Sequence, residues 1–362
     1  MLDTPAAVFE ALRENHDRPH SLQRTVTAEE LVEAAAAFEK PDVLVTALFE
    51  LMTAYEFTGE NSKSPVAFAR LLKLWDTAPE TFSEWEVRQV FWRFKWVMAS
   101  LLQVPEVPLG SIGGWIDQMQ ARYEAADHGL QPVAAMHYHV AYHTGTDVDG
   151  AYALWTSRPR TELSDCEACE IRHRARHQVT TGDDAGAIDT WQPVLDGVLT
   201  CSEEPQMSQA RALLPLLRAG NLDAARSHHL TGYRRVRGTT GVQEEAGEHL
   251  EFCALSRNEG RGLEILAENR SLFDASGTPL AALPRRPFRR ISSLWCARHD
   301  AWRARVTPRA PGSGRGSPNV WRTAPPRTRT SWAWTNVCAR SSPSTARICS
   351  CRTTSTGRLS PS

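Results

Sequence analysis

Residues 182–192, GDDAGAIDTWQ, and residues 220–230, GNLDAARSHHL, share one pattern. Two further stretches match it, GTDVDGAYALW at 145–155 and RNEGRGLEILA at 257–267, so successive starts are 37, 38 and 37 residues apart. A small residue lies five positions after each start, and a larger residue follows one helical turn later. These pairs are Gly150 and Leu154, Ala187 and Trp191, Ala225 and His229, and Gly262 and Leu266. Because a small residue lets another helix approach closely, the pattern predicts repeated helix pairs that stack on their neighbours.

The rest of residues 1–283 also contains residue pairs that are typical of helix starts. Four pairs have the spacing of a capping box, in which a Ser or Thr starts a helix and a Glu or Gln lies three residues later. They are Thr27 with Glu30, Ser83 with Glu86, Ser164 with Glu167, and Thr240 with Gln243. Ser64 before Pro65 predicts another helix start. Since no segment alternates convincingly with period two, we expect an all-α body.

The repeated stretches resemble the tetratricopeptide repeat. Gly182-Asp183 and Gly220-Asn221 match the turn between the two helices of that family, and Ala187 and Ala225 match its small residue. The spacing exceeds the family's usual length of about 34 residues, and the first helix of each pair lacks most of the family's signature. The resemblance covers residues 130–275, which are also similar to actinobacterial proteins of the same superfamily. It implies a TPR-like α-solenoid of stacked antiparallel hairpins with a concave binding groove, and it implies no catalysis.

This resemblance divides the chain into three parts. Residues 1–129 are predicted to form an N-terminal helical region with degenerate hairpins, ahead of the repeats at 130–275. Residues 276–362 are rich in Arg, Pro and Ser and are predicted to be disordered. From Pro284 onward there are sixteen arginines, no lysine and one acid, Asp300, whereas residues 1–283 have a net charge of about −16. The tail's composition is typical of a GC-rich gene translated out of frame, and we favour a frameshift product over a selected basic tail that binds nucleic acid.

Residues 164–177, SDCEACEIRHRARH, are the strongest candidate for chemistry. Cys166, Cys169, His173 and His177 share one helix face, but Cys166 and His177 are about 16 Å apart along a helix, too far for one ion. Cys201 begins the next repeat, so Cys166, Cys169 and Cys201 are the candidate metal ligands, with His173 or His229 as a fourth. The favoured interpretation treats these cysteines as small apolar residues at a helix seam, and it expects no cofactor. A redox role for CEAC is disfavoured because a capping box, and not a strand, precedes it.

His139 and His143 are one helical turn apart, in the helix predicted before this segment. They could form a pH-sensitive or metal-binding patch, but histidine that is solvated or packed against a helix is the favoured interpretation.

The chain has no motif of a phosphate-binding loop, zinc protease or hydrolase elbow. We therefore expect a non-catalytic scaffold that binds a peptide or partner domain, and an acidic body favours a basic partner. The alternatives are a regulator that contacts nucleic acid through its Arg-rich tail, and a metal-dependent enzyme or zinc-stabilised module that uses the Cys/His helices. The N-terminus has no secretory signal, and no apolar run approaches the roughly 18 residues of a membrane span, so a cytoplasmic location is expected.

Overall fold

The computed structural model describes residues 2–38, 40–60, 62–104, 106–239 and 243–269. This part of the chain contains fourteen α-helices and no β-strand, which confirms the all-α prediction. Neighbouring helices in the sequence pack against each other. The predicted tail at 276–362 and the predicted cap Thr240 lie outside the described residues.

The described chain forms two compact units, residues 1–177 and the residues from Gln178 onward, and the division falls within α9. The helices up to that division are α1 (Pro5–His16), α2 (Leu22–Ala36), α3 (Pro41–Thr58), α4 (Ser64–Thr77), α5 (Glu84–Leu101), α6 (Leu109–Ala125), α7 (Gln131–Thr144), α8 (Val148–Ser157) and α9 (Glu167–Thr180). The later helices are α10 (Asp184–Leu195), α11 (Gln206–Arg218), α12 (Leu222–Val236), α13 (Gln243–Leu255) and α14 (Glu259–Glu268).

The first unit has an aromatic and aliphatic core. Phe68 and Phe94 meet edge to face with ring centroids 4.8 Å apart, and Phe91 meets Tyr123 in the same way at 5.1 Å. The Tyr123 hydroxyl donates a hydrogen bond to the Phe91 carbonyl oxygen, so the ring is buried without leaving its polar end unpaired. α3 contributes a long run of buried side chains to the same core.

The helix starts differ from the sequence prediction at three of the four predicted sites that the structure describes. The capping box at Ser83 and Glu86 is confirmed. Thr27 was predicted to begin a helix, but it lies inside α2, whose cap is Ser21. Ser64 is the first residue of α4 and is not its cap. The cap prediction for Ser164 is also wrong, for reasons given with the cysteines below.

The repeat pattern recurs in the described helices. The four repeats align better when the residue that precedes each second helix is used as the reference than when the glycine is used. α8, α10, α12 and α14 follow the residues Asp147, Asp183, Asn221 and Asn258. Eight positions after each of these residues lies a large buried side chain. The four side chains are Trp155, Trp191, His229 and Leu266, none of which is more than 4% exposed.

One pair of the predicted pattern is therefore displaced by a residue. Leu154 is 45% exposed and Gly150 is exposed, whereas the buried large residue is Trp155 and the small residue one turn before it is Ala151. The extra residue is Thr146, which separates Gly145 from the helix start at Val148. A slip of one position turns a helical side chain by about 100°, which is enough to move it from the core to solvent.

Each of these helix pairs is joined at a residue with positive φ. Gly145, Gly182 and Gly220 have φ values of 75°, 87° and 77°, and Arg257 has a φ of 62° at the matching position of the last pair. Glycine tolerates this left-handed conformation, whereas a side chain makes it unfavourable. Arg257 is therefore the strained member of the set.

Candidate functional site

The first two candidate cysteines lie at the start of α9. The helix begins at Glu167, and Cys166 lies just before it. The backbone N–H of Cys169 donates to the Cys166 Sγ at 3.4 Å, and the N–H of Glu170 donates to the Cys166 carbonyl oxygen at 3.1 Å. Cys166 thus takes the capping role that the sequence assigned to Ser164, with a sulfur in place of the usual oxygen.

Ser164 instead holds the loop that leads into α9. Its hydroxyl donates to the Gln131 Oε1 at 2.6 Å and accepts a hydrogen bond from the Thr161 backbone N–H at 2.9 Å. The Gln131 amide also donates to Glu170 at 2.8 Å. A short buried network of α7 side chains and loop atoms therefore fixes the backbone on either side of the cysteines.

An ion pair between buried Lys95 and partly buried Asp165 holds the residue between Ser164 and Cys166. The Lys95 ammonium of α5 lies 2.7 Å from the Asp165 Oδ1 and 3.4 Å from the centre of the Trp92 ring. Burial alone would raise the pKa of Asp165, but the charge and hydrogen bond of Lys95, together with the charge of Arg172, outweigh it and hold that pKa below its ordinary value. The Asp165 carbonyl oxygen also accepts a hydrogen bond from the Arg160 guanidinium at 2.7 Å.

Cys201, the third candidate, lies in a turn ahead of α11. The backbone N–H of Glu203 donates to the Cys201 Sγ at 3.4 Å, and the N–H of Cys201 donates to the Glu204 carbonyl oxygen at 3.2 Å. The turn therefore presents its thiol with a backbone donor aimed at the sulfur. Cys166, Cys169 and Cys201 are all partly buried.

Cys166 and Cys169 lie in the first unit and Cys201 lies in the second. That the three thiols bind one metal ion stays a prediction.

The two histidines named as a possible fourth ligand, His173 and His229, each pack against another histidine. His173 packs against His139, with ring centroids 4.3 Å apart, and burial lowers the pKa of His139 to about 4. His177 stacks on Tyr152 at 3.7 Å. His143 is exposed on α7.

His229 belongs to a second cluster, which the sequence did not indicate. Its Nδ1 lies 3.2 Å from the Nδ1 of His249, and its Nε2 lies 3.8 Å from the Cys253 Sγ. All three side chains are buried. His229 lies on α12 and both of its partners lie on α13, twenty and twenty-four residues further along the chain, and no spacing rule singles out such contacts.

A surface cleft of about 380 Å³ lies in the first unit and includes Arg88, His128 and Glu162 in its lining. Arg88 forms an ion pair with Glu162 at 2.7 Å, and the His128 ring packs edge-on against Phe91 at 4.4 Å. These polar groups are thus engaged in structural contacts.

Comparison with known proteins returned no match: no family model, no curated protein and no solved structure corresponds to this chain. Among the helices of the described residues, none has the length and apolar character needed to cross a bilayer.

Proposed function

We propose that the protein is a non-catalytic scaffold whose TPR-like helix pairs stack as an α-solenoid and bind a peptide or partner domain. The observation that carries the proposal is the recurrence of one helix-pair plan. A left-handed residue, a polar residue before the helix and a large buried side chain eight positions later occur four times between residues 145 and 266. Repeats of this kind form extended surfaces that suit partner binding.

Ion pairs in the second unit connect α11 with earlier and later helices. Arg218 of α11 forms an ion pair with Asp184 of α10 at 2.6 Å. Arg211 of α11, whose side chain is 11% exposed, contacts Glu244 at 3.0 Å and Glu245 at 3.2 Å, both on α13. α11 thus forms ion pairs with α10 and with α13, as expected of a helix in the middle of a stack. These contacts support the proposal that each pair is stabilised by its neighbours.

The partner that we propose is a basic peptide or a basic face of a protein. Residues 1–283 carry a net charge of about −16, and complementary charge accelerates association and favours such partners. The test is binding of the purified chain to synthetic peptides of equal length and graded net charge. We expect saturable binding that strengthens with positive charge and weakens with salt. Absence of saturation for every peptide, or salt-independent binding to acidic ones, would contradict the proposal.

The Arg-rich tail supports a second candidate, a regulator that contacts nucleic acid. Its sixteen arginines interleaved with tryptophans are typical of a single-strand binder, although these residues lie outside the described part. Binding to single-stranded DNA that falls steeply with salt, and that is lost on removal of residues 284–362, would favour this candidate. Peptide binding that survives the same truncation would favour the scaffold.

A further inference from the structure

We propose that Cys166 and Cys169 form a redox-active pair that closes reversibly into a disulfide by exchange with a small-molecule disulfide. Both cysteines lie in the first unit, at the start of α9. Their Sγ atoms lie within 4.8 Å of each other. Such a pair is a modification site of this unit, and it needs none of the partner binding proposed above.

The position of Cys166 removes the reason for which the sequence disfavoured a redox role. That reason was a helix cap at Ser164, whereas the structure places Cys166 just before the helix, where its Sγ accepts a hydrogen bond from the Cys169 backbone N–H at 3.4 Å. A cysteine at a helix N-terminus, with a second cysteine three residues later, is the arrangement found in reactive dithiols. The hydrogen bond favours negative charge on its sulfur, so Cys166 is the thiol suited to attack.

The two sulfurs are close enough to bond after rotation of their side chains. A disulfide places its sulfur atoms about 2 Å apart, so these two have to approach by less than about 3 Å. Residues three positions apart are neighbours on one helix face, which makes that approach short. Both residues are only partly buried, so a small disulfide can reach them, whereas Cys253 is buried.

Polar contacts hold the backbone that leads into the pair. The Ser164 hydroxyl donates to the Gln131 Oε1 of α7 at 2.6 Å, and the Asp165 Oδ1 lies 2.7 Å from the Lys95 ammonium of α5. Because these contacts fix the loop, the thiols stay near each other without the ordering entropy that a flexible segment loses on closure. Closure should therefore be faster in the folded chain than in an isolated peptide of the same sequence.

The reaction is a thiol–disulfide exchange in two steps, with oxidised glutathione as the oxidant. The Cys166 thiolate attacks one glutathione sulfur, the glutathione S–S bond breaks, and one glutathione thiolate leaves. The Cys169 thiolate then attacks the Cys166 sulfur, the mixed disulfide breaks, and the second glutathione thiolate leaves. Two electrons thus pass from the cysteine pair to glutathione, and the two cysteine protons are balanced by protonation of the two leaving thiolates. Excess reduced glutathione reverses both steps.

The experiment follows the full-length chain, first reduced, as it reacts with oxidised glutathione in a buffer that contains a metal chelator. Trypsin yields one peptide, residues 161–172, that contains both cysteines. After the remaining thiols are alkylated, mass spectrometry recognises the closed pair as an unalkylated peptide that has lost two hydrogen atoms. We expect closure at least about fivefold faster than in a synthetic peptide of the same residues, and reopening by excess reduced glutathione. A rate equal to that of the synthetic peptide, or slower, would overturn the proposal.

Single substitutions separate the attacking thiol from the resolving thiol. In Cys169→Ser the mixed disulfide of Cys166 with glutathione should accumulate, because no second thiol displaces it. In Cys166→Ser the remaining thiol should react with glutathione at least about fivefold more slowly than Cys166 does in Cys169→Ser. Circular dichroism shows whether each variant has folded, and the comparison of the wild-type chain with the synthetic peptide needs neither variant.

Cys201→Ser is the matched control. Cys201 is also partly buried, and its Sγ also accepts a backbone hydrogen bond, from Glu203 at 3.4 Å. This variant should close the pair in peptide 161–172 at the wild-type rate. A disulfide that joins Cys166 or Cys169 to Cys201, or to one of the four cysteines beyond residue 269, in place of the proposed pair would overturn the proposal.

Discussion

Acidification should destabilise the second unit through the buried pair of His229 and His249. Burial lowers the pKa of His229 from 6.5 to about 4, with the Arg261 charge acting in the same direction. Burial also lowers the pKa of His249, with His229 and Arg261 as further causes. Both side chains are therefore neutral in the folded protein at neutral pH, when one ring can donate to the other at 3.2 Å.

The sign and size of the effect follow from the pKa difference. A histidine in the unfolded chain takes up a proton as the pH falls through 6.5, whereas His229 does so only near 4, so protons bind preferentially to the unfolded state. Stability is fully present above about pH 6.5 and is lost between that pH and about 4. At pH 5 the loss from His229 alone is about 2 kcal/mol, and His249 adds to it.

The assay is urea unfolding followed by circular dichroism at pH 7.5 and pH 5. The double variant His229→Leu/His249→Leu replaces both partners by apolar groups, so it should unfold at pH 7.5 with a free energy close to that of the wild type. Between the two pH values it should lose at least about 2 kcal/mol less than the wild type. His143→Gln, which removes an exposed histidine, should leave the pH dependence unchanged. If the double variant and the wild type lose the same free energy, the buried pair is not the source of acid sensitivity.

Three further predictions concern a core residue, a turn residue and a helix cap. Trp191→Ala should lower the free energy of unfolding by about 3–5 kcal/mol because the side chain is buried. Trp191→Phe should lower it much less, because the indole N–H has no hydrogen-bond partner among the described residues. Thermal unfolding of both variants measures the contrast, and equal losses would contradict it. Arg257→Gly should stabilise the chain by about 0.5–1 kcal/mol, since glycine relieves the positive φ, and a lower melting temperature would refute this. Ser83→Ala should lower the free energy of unfolding by about 1 kcal/mol because it removes the confirmed helix cap. Thr27→Ala, inside α2, should lower it much less. Similar losses of the two variants in urea unfolding would show that the cap assignment is wrong.

The sequence predicted the helices well because their signals are local. Periodicity, glycine turns and the Ser83 box all depend on residues within a few positions of one another. The wrong predictions also concern helix starts. Thr27 and Ser164 have the spacing of caps, but Thr27 lies within a helix and Ser164 forms a hydrogen bond with Gln131 of another helix. Spacing alone does not distinguish a hydroxyl that caps its own helix from one that bonds elsewhere.

The contacts around the candidate site could not be predicted in the same way. Lys95 and Asp165 are seventy residues apart in the chain, and a lysine among aromatic residues on α5 has the pattern of an ordinary helix. The repeat spacing is the only sequence signal that links Cys201 to Cys166 and Cys169, through the prediction that equivalent positions of stacked repeats lie close together.

The composition of α9 indicates that polar contacts hold this helix. α5 buries Phe91, Phe94, Val97, Met98 and Leu101, whereas the apolar side chains that α9 buries are two alanines, accompanied by buried Glu170, Arg172 and His177. Each large apolar side chain contributes about 1.5–3 kcal/mol on burial, and an alanine far less. The amide hydrogens of α9 should therefore exchange faster than those of α5, as measured by mass spectrometry of the two helices. Equal protection of the two helices would mean that buried apolar area does not decide their relative stability.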